Sequence, residues 1–201
     1  TILFIINFKA YSHIGHYKNF KYLEYELFRN NKLIGYNKYD FIREKNNILS
    51  VKSEVDFRIT KLGVDLYKYY AESLEIYKDN KFLQFTSVTN QNKKEKYVNI
   101  KVNSNKNELI IDGSSYKGNA PIDSIVGTWW NHEMVKAKKQ ISAISGRIID
   151  QKVSFIGKEK IKIGEKTYNS LHFNFKSSDE TLPDSKKLNT DIWYYETTLL
   201  W

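Results

Sequence analysis

The chain has no cysteine, two prolines and one methionine in 201 residues. Without cysteine there is no disulfide, no thiolate metal site and no thiol nucleophile. So little proline leaves no rigid Pro-rich linker. Arginine is scarce too: of 32 basic residues, only Arg29, Arg43, Arg58 and Arg147 are arginines. Nucleic-acid readers use planar guanidinium forks on base edges and phosphates. The formal charge of +9 is therefore read as a lysine-rich solvated surface, and no nucleic-acid partner is expected. The abundance of Lys, Asn, Ile and Tyr matches AT-rich codons, so an AT-rich genome accounts for much of the lysine excess. No stretch has transmembrane length. There is no Gly-x-Ser-x-Gly elbow, P-loop, dinucleotide fingerprint or Ca²⁺ loop. No cofactor and no catalytic residue is assigned, and the balance leans away from an enzyme.

What is present describes a folded protein. The composition is 41% apolar, 15% aromatic and 27% charged, and the length suits one domain with a sizeable core. Strand signals dominate. Tyr22–Phe28, Leu33–Arg43 and Leu49–Ile59 are separated by the Asn-rich turns Arg29-Asn-Asn-Lys32 and Lys45-Asn-Asn47. In the third run Leu49, Val51, Val55, Phe57 and Ile59 alternate onto one face, with Ser53 between them. Val64–Tyr77, Phe82–Val88, Tyr97–Val102 and Glu108–Asp112 continue the series. This spacing predicts a mainly β fold: an antiparallel curved sheet or up-and-down barrel. Gly118–Pro121 is expected to be a loop. Ile122, Ile125, Val126, Trp129 and Trp130 then fall at helical spacing, predicting one or two short helices near 122–138. Strands are expected again over 141–144, 146–157, 158–163, 166–168, 171–176 and 191–200.

At the N-terminus the apolar run Ile2–Ile6 precedes Ala10-Tyr11-Ser12, which has small residues at the −3 and −1 positions of a leader-peptidase site. Residues 1–12 are thus expected to be the remnant of a signal peptide, and 13–201 a single β-rich domain exported to the periplasm. The segment Asp191–Trp201 stops in an apolar run, so a further strand is expected beyond it.

Two constellations stand out chemically. His13 and His16 form a His-x-x-His pair; cleavage after Ser12 would put a free amine beside the His13 imidazole, a chelate for copper. Without fixed supporting groups such a pair is more often a mobile end. The densest cluster is Trp129-Trp130-Asn131-His132-Glu133. Its tryptophans could wall an apolar pocket, and His132 with Glu133 could exchange protons. On a helix, however, these neighbours would not share a face, and a zincin motif would need a histidine where Lys136 stands. Arg147, in a Ser-Gly-Arg turn, could fix an anionic group. His172, opposite in facing to Leu171, Phe173 and Phe175, is given no role.

The order of features resembles a group of proteobacterial exported families of unknown function. The resemblance rests on Tyr25-Glu-Leu-Phe-Arg-Asn-Asn-Lys-Leu-Ile-Gly35, Asp79-Asn-Lys-Phe-Leu83, Thr89-Asn-Gln-Asn-Lys93, Trp130-Asn131, Gly146-Arg147 and Asp191-Ile-Trp-Tyr194. Lys93 stands where a glycine is more usual. The resemblance implies a barrel-like fold in the cell envelope and transfers no activity. The expected ligand-binding set is Trp129, Trp130, Asn131, His132, Arg147 and Trp193. It is expected to hold an apolar small molecule such as a lipid or acyl chain. The alternatives are a hydrolase-like or metal-binding protein using His132/Glu133 or His13/His16, and an envelope scaffold. Oligomeric state is not legible.

Overall fold

The computed structural model describes residues 17–201; the leader, His13 and His16 lie outside them. The chain is mainly β, as expected. β1 Tyr22–Arg29, β2 Lys32–Glu44, β3 Ile48–Lys61, β4 Val64–Lys78, β5 Lys81–Gln91, β6 Lys94–Asn103, β7 Glu108–Gly113 and β8 Tyr116–Pro121 form an eight-stranded sheet in sequence order. Every neighbouring pair in it is antiparallel. A second sheet is ordered β13-β12-β11-β10-β9. Its strands are β9 Ile125–Val126, β10 Lys139–Ile141, β11 Ile148–Ile163, β12 Lys166–Ser177 and β13 Asn189–Tyr195.

Asparagine makes the meander possible. Arg29 pairs with Lys32 across Asn30-Asn31, and Lys78 with Lys81 across Asp79-Asn80. All four turn residues have φ between 50° and 62°, the type I′ geometry that matches strand twist and that Asn and Asp tolerate. The β3–β4 turn departs from this pattern. Its first residue is Leu62, φ 51°, followed by Gly63. A branched L side chain in that conformation costs about 1–2 kcal/mol.

The alternation read from Leu49–Ile59 is present: Lys52, Glu54, Asp56 and Arg58 are exposed, and the intervening residues are buried or half-buried. Gly157, read as a break, instead sits at a β-bulge, so β11 runs unbroken through it. The loop expected at Gly118–Pro121 is part of edge strand β8, where proline is tolerated.

The largest difference lies in 122–131. Its apolar spacing fits a helix, yet the segment contains strand β9 and then crosses the interior as an irregular run of tight turns, Thr128 N–H donating to Val126 O and Trp130 N–H to Thr128 O, each at 2.9 Å. The short helix in this region is the 3-10 turn His132–Lys136. Periodicity alone cannot separate a buried non-helical run from a helix, and here the partners decide. Glu75 Oε1 on β4 accepts from Thr128 Oγ1 and Trp130 Nε1, both at 2.7 Å. Glu75 Oε2 accepts from the Tyr77 hydroxyl at 2.5 Å. The Tyr39 hydroxyl donates to Thr128 O at 2.7 Å, and the Tyr17 hydroxyl to Trp130 O. Trp130 is fully buried, with Tyr17, Phe41 and Tyr77 edge-on around it at 5.2–5.9 Å. A second core cluster, around Phe85, Ile100, Ile111 and Ile141, joins the two sheets. There a Cβ on Gly113 would lie 2.7 Å from Ser145 O.

Burial of Glu75 raises its pKa, against the three hydrogen bonds that lower it. An acid whose pKa is raised on folding contributes stability below its unfolded pKa, and that contribution is lost as pH rises through the native value. Stability should therefore decline as pH climbs above the ordinary glutamate range, and Glu75→Gln should remove the Glu75 part of that decline while its one carbonyl oxygen still accepts from Thr128 and Trp130. Glu75→Ala, which strands three buried donors, should lose at least about 3 kcal/mol. Urea unfolding of the three proteins across pH 4–8 measures both effects; wild type and Glu75→Gln changing in parallel would refute the assignment.

Candidate functional site

The expected ligand-binding residues do not meet at one place. Trp130 belongs to the packed interior just described. Trp129, φ 70°, sits edge-on to Phe175 at 5.4 Å, and its carbonyl is 3.5 Å from the Tyr194 hydroxyl. Asn131 caps the 3-10 turn, Oδ1 accepting from Glu133 N–H at 3.1 Å. His132 is buried with Nε2 3.4 Å from Glu133 Oε1; the 3-10 turn brings together two neighbours that an α-helix would splay. Arg147 is half-buried at the turn where Ser142 N–H donates to its carbonyl at 2.9 Å. Trp193 lies elsewhere, on the outer face of β13.

Beside Trp193 is a cleft of about 500 Å³. One wall is β1, through Leu23 and Tyr25. The other is the face of β11–β12–β13 that carries Ile161, Ile163, Tyr168, Trp193 and Tyr195, and Leu200 and Trp201 close it. Strand pairing explains why these residues share a face: Ile161 is opposite Tyr168, Ser170 opposite Tyr195, and His172 opposite Trp193. Tyr25 stacks on Trp201 at 4.6 Å. The Tyr25 hydroxyl and Trp201 Nε1 are shut off from solvent, and neither has a hydrogen-bond partner among the described residues. The charged residues of the lining are Glu24 and Asp191, and no Lys or Arg is among them. A larger groove, about 670 Å³, lies on the outer face of the first sheet; its mixture of Lys38, Lys52, Asp40, Glu54 and Glu72 matches no single ligand charge.

At the polar end of the cleft is a cluster that the sequence does not announce. His172 Nδ1 is 2.7 Å from Glu159 Oε1, and Nε2 is 3.0 Å from Asp191 Oδ1. The Trp193 indole stacks on the imidazole at 4.2 Å and donates to Glu159 Oε2 at 2.8 Å. Asn174 Nδ2 donates to Asp191 Oδ1 at 3.1 Å. Desolvation works against the imidazolium, but the bonds to Glu159 and Asp191 outweigh it and raise the His172 pKa. Both carboxylates are correspondingly lowered, each led by hydrogen bonds, to Trp193 and His172 for Glu159 and to His172 and Asn174 for Asp191. With both ring nitrogens engaged, none is left to take a substrate proton, so the cluster is an ion-paired lip rather than a general base. Among the described residues no three His, Cys, Asp or Glu side chains are grouped to hold a metal ion.

Because its native pKa is raised, His172 contributes stability that is fully present below the unfolded value near 6.5 and lost as pH rises through the native pKa. Imidazole NMR should show His172 titrating above that value, and Asp191→Asn should bring the midpoint down. An unshifted midpoint in the wild type would contradict the geometry.

No curated protein is detectably similar in sequence. Among solved structures, a beta-barrel-like protein of the domain of unknown function DUF1849 from Brucella abortus shares the fold, with a TM-score of 0.51, 11% identity, 79% of this chain covered and 76% of that one. At that identity the likeness concerns architecture alone. Residues 25–201, which include the crossing segment, the His172 cluster and all of the cleft but Leu23 and Glu24, match the family described as Domain of unknown function (DUF6134), and the chain belongs to that family.

Proposed function

We propose that the protein is an exported, non-enzymatic binding module for a single-chain amphiphile, whose acyl chain lies in the cleft between β1 and the β11–β12–β13 face. The observation that carries this reading is the cleft itself. Its volume of about 500 Å³ falls within the range of small-molecule sites, and its walls are aliphatic and aromatic, with two buried hydrogen-bond donors left over. The lip favours a particular head group. Glu24 and Asp191 supply the charge of the lining, and the one cation beside them, His172, is already paired with Asp191 and Glu159, so a free fatty acid is disfavoured and a neutral or amine-bearing head is favoured. Of the tryptophans singled out by sequence, Trp193 takes part; Trp130 is packed on all sides and leaves no room for a ligand. His132 and Glu133 line neither of the two hollows above, which weighs against a hydrolase. Export rests on the Ile2–Ile6 run and Ala10-Tyr11-Ser12 alone.

The test uses the full-length natural protein. Titrated with the neutral fluorophore N-phenyl-1-naphthylamine, it should bind with fluorescence enhancement. Ile161→Trp, which fills the cleft, should weaken binding at least about tenfold with melting temperature preserved, and Trp130→Phe should leave affinity unchanged. Equal affinity of the wild type and Ile161→Trp would refute the cleft. Recovered from a periplasm, the protein should have a mature N-terminus at His13 by mass spectrometry; an intact leader would refute export.

A further inference from the structure

The β3–β4 hairpin is longer than the sheet that holds it. Pairing of β3 with β2 ends at Gly35↔Phe57, and pairing of β4 with β5 ends at Tyr69↔Gln91. Beyond those rows the two strands pair with each other, through Arg58↔Lys68, Ile59↔Tyr67, Thr60↔Asp65 and Lys61↔Val64, and Lys68 at the base is also tied to the β5–β6 turn, its N–H donating to Asn92 Oδ1 at 2.7 Å and its carbonyl accepting from Asn92 N–H at 2.9 Å. At the usual rise per residue this two-stranded finger extends roughly 15 Å past its neighbours. Its base is stiffened by Phe57, stacked on Tyr69 at 4.9 Å and packed on Tyr67 at 5.9 Å.

The end of the finger is apolar. Leu62 is 94% exposed, Val64 62% and Leu66 56%. Leu62 also holds the strained conformation, at a position where the β1–β2, β4–β5 and β5–β6 turns have Asn or Asp. An asparagine there would be better for the isolated fold on both counts, backbone and solvent. The charges are ordered along the finger. Arg58, Lys61 and Lys68 lie near the tip with Asp65 as the one acid, bonded to Lys68 at 2.9 Å. The acids Glu54, Asp56 and Glu72 lie further back, on the body of the sheet. Tyr67, opposite Ile59, lies among the cations, and Tyr70, opposite Asp56, at the front of the acids.

We propose that this finger docks the protein on an anionic phospholipid surface, Leu62, Val64 and Leu66 entering the acyl boundary while Arg58 and Lys61 meet the phosphates. An apolar tip with cations and Tyr67 beside it and acids behind matches the layers of such an interface. Apolar side chains gain by leaving water, basic groups are drawn to anionic head groups, and tyrosine rings suit the head-group depth. The acids behind the tip set the orientation, because a negative surface repels the body and attracts the end. The surface is independent of the cleft: it uses other strands and other observations.

The experiment is co-sedimentation of the full-length protein with vesicles of phosphatidylglycerol and phosphatidylethanolamine, and with vesicles of phosphatidylcholine. The wild type should sediment with the first, less as salt is raised, and far less with the second. Leu62→Asn should weaken binding at least about tenfold. The same variant should melt about 2 °C higher, because the turn is relieved. Lys61→Glu should also weaken binding and flatten its salt dependence. A wild type that stays in solution with the anionic vesicles would overturn the proposal, including the case where the finger engages a protein instead. So would Leu62→Asn sedimenting as the wild type does.

Discussion

A carboxylate inside a protein has to be given donors, and Glu75 is given three. Two of them come from a segment 53 and 55 residues further along the chain, so satisfying Glu75 fixes where that segment crosses. Once Thr128 and Trp130 are held against β4, the indole occupies the space between the two sheets. Tyr17, Phe41 and Tyr77 then pack edge-on to it, and the Tyr39 hydroxyl closes on the same backbone. Hydrophobic burial supplies the larger part of the free energy there, but it is non-directional. The polar contacts are what give the crossing one position rather than several.

Unequal strand lengths organise the surface. β11 has 16 residues and β13 only 7, so the far half of the β11–β12 hairpin runs on beyond its neighbour and turns Ile161, Ile163 and Tyr168 toward β1. That overhang, with Trp193 and Tyr195 of β13, is the wall of the cleft. β3 and β4 overrun β2 and β5 in the same way, but among the described residues no strand lies opposite, and beyond the Lys68–Asn92 contact the overhang stands free. One architectural habit thus produces a concave apolar surface in one place and a convex one in another.

The sheet was legible because its signals are local: Asn pairs at positive φ, and alternation of the kind seen in Leu49–Ile59. The crossing segment was not. Ile122, Ile125, Val126, Trp129 and Trp130 have a helix's spacing, and what overrides it is Glu75, a residue with no distinguishing context in Ala71-Glu-Ser-Leu-Glu-Ile76. The His172 cluster was hidden for the same reason, since its carboxylates lie 13 and 19 residues away on other strands. Alternation did place His172 on the face opposite Phe173 and Phe175. Extending that logic across the Leu171–Phe175 and Asp191–Tyr194 runs would have put Trp193 and Asp191 on one surface with it. The cleft needed knowledge of which edge faces which, and no local pattern holds that.

The meander has a consequence for the order of events during synthesis. Each of the first eight strands pairs with the strand just made, so the sheet can zip up through short loops as the chain emerges. Its interior cannot be completed on that schedule. Glu75 and Tyr77 are in place while the residues that cover them are still unmade, and the concave face stays wet until residue 130 has emerged. The closing of the core is therefore a late, long-range event added to an early, local one. The growing chain passes through a stage in which a finished sheet displays an unfinished face.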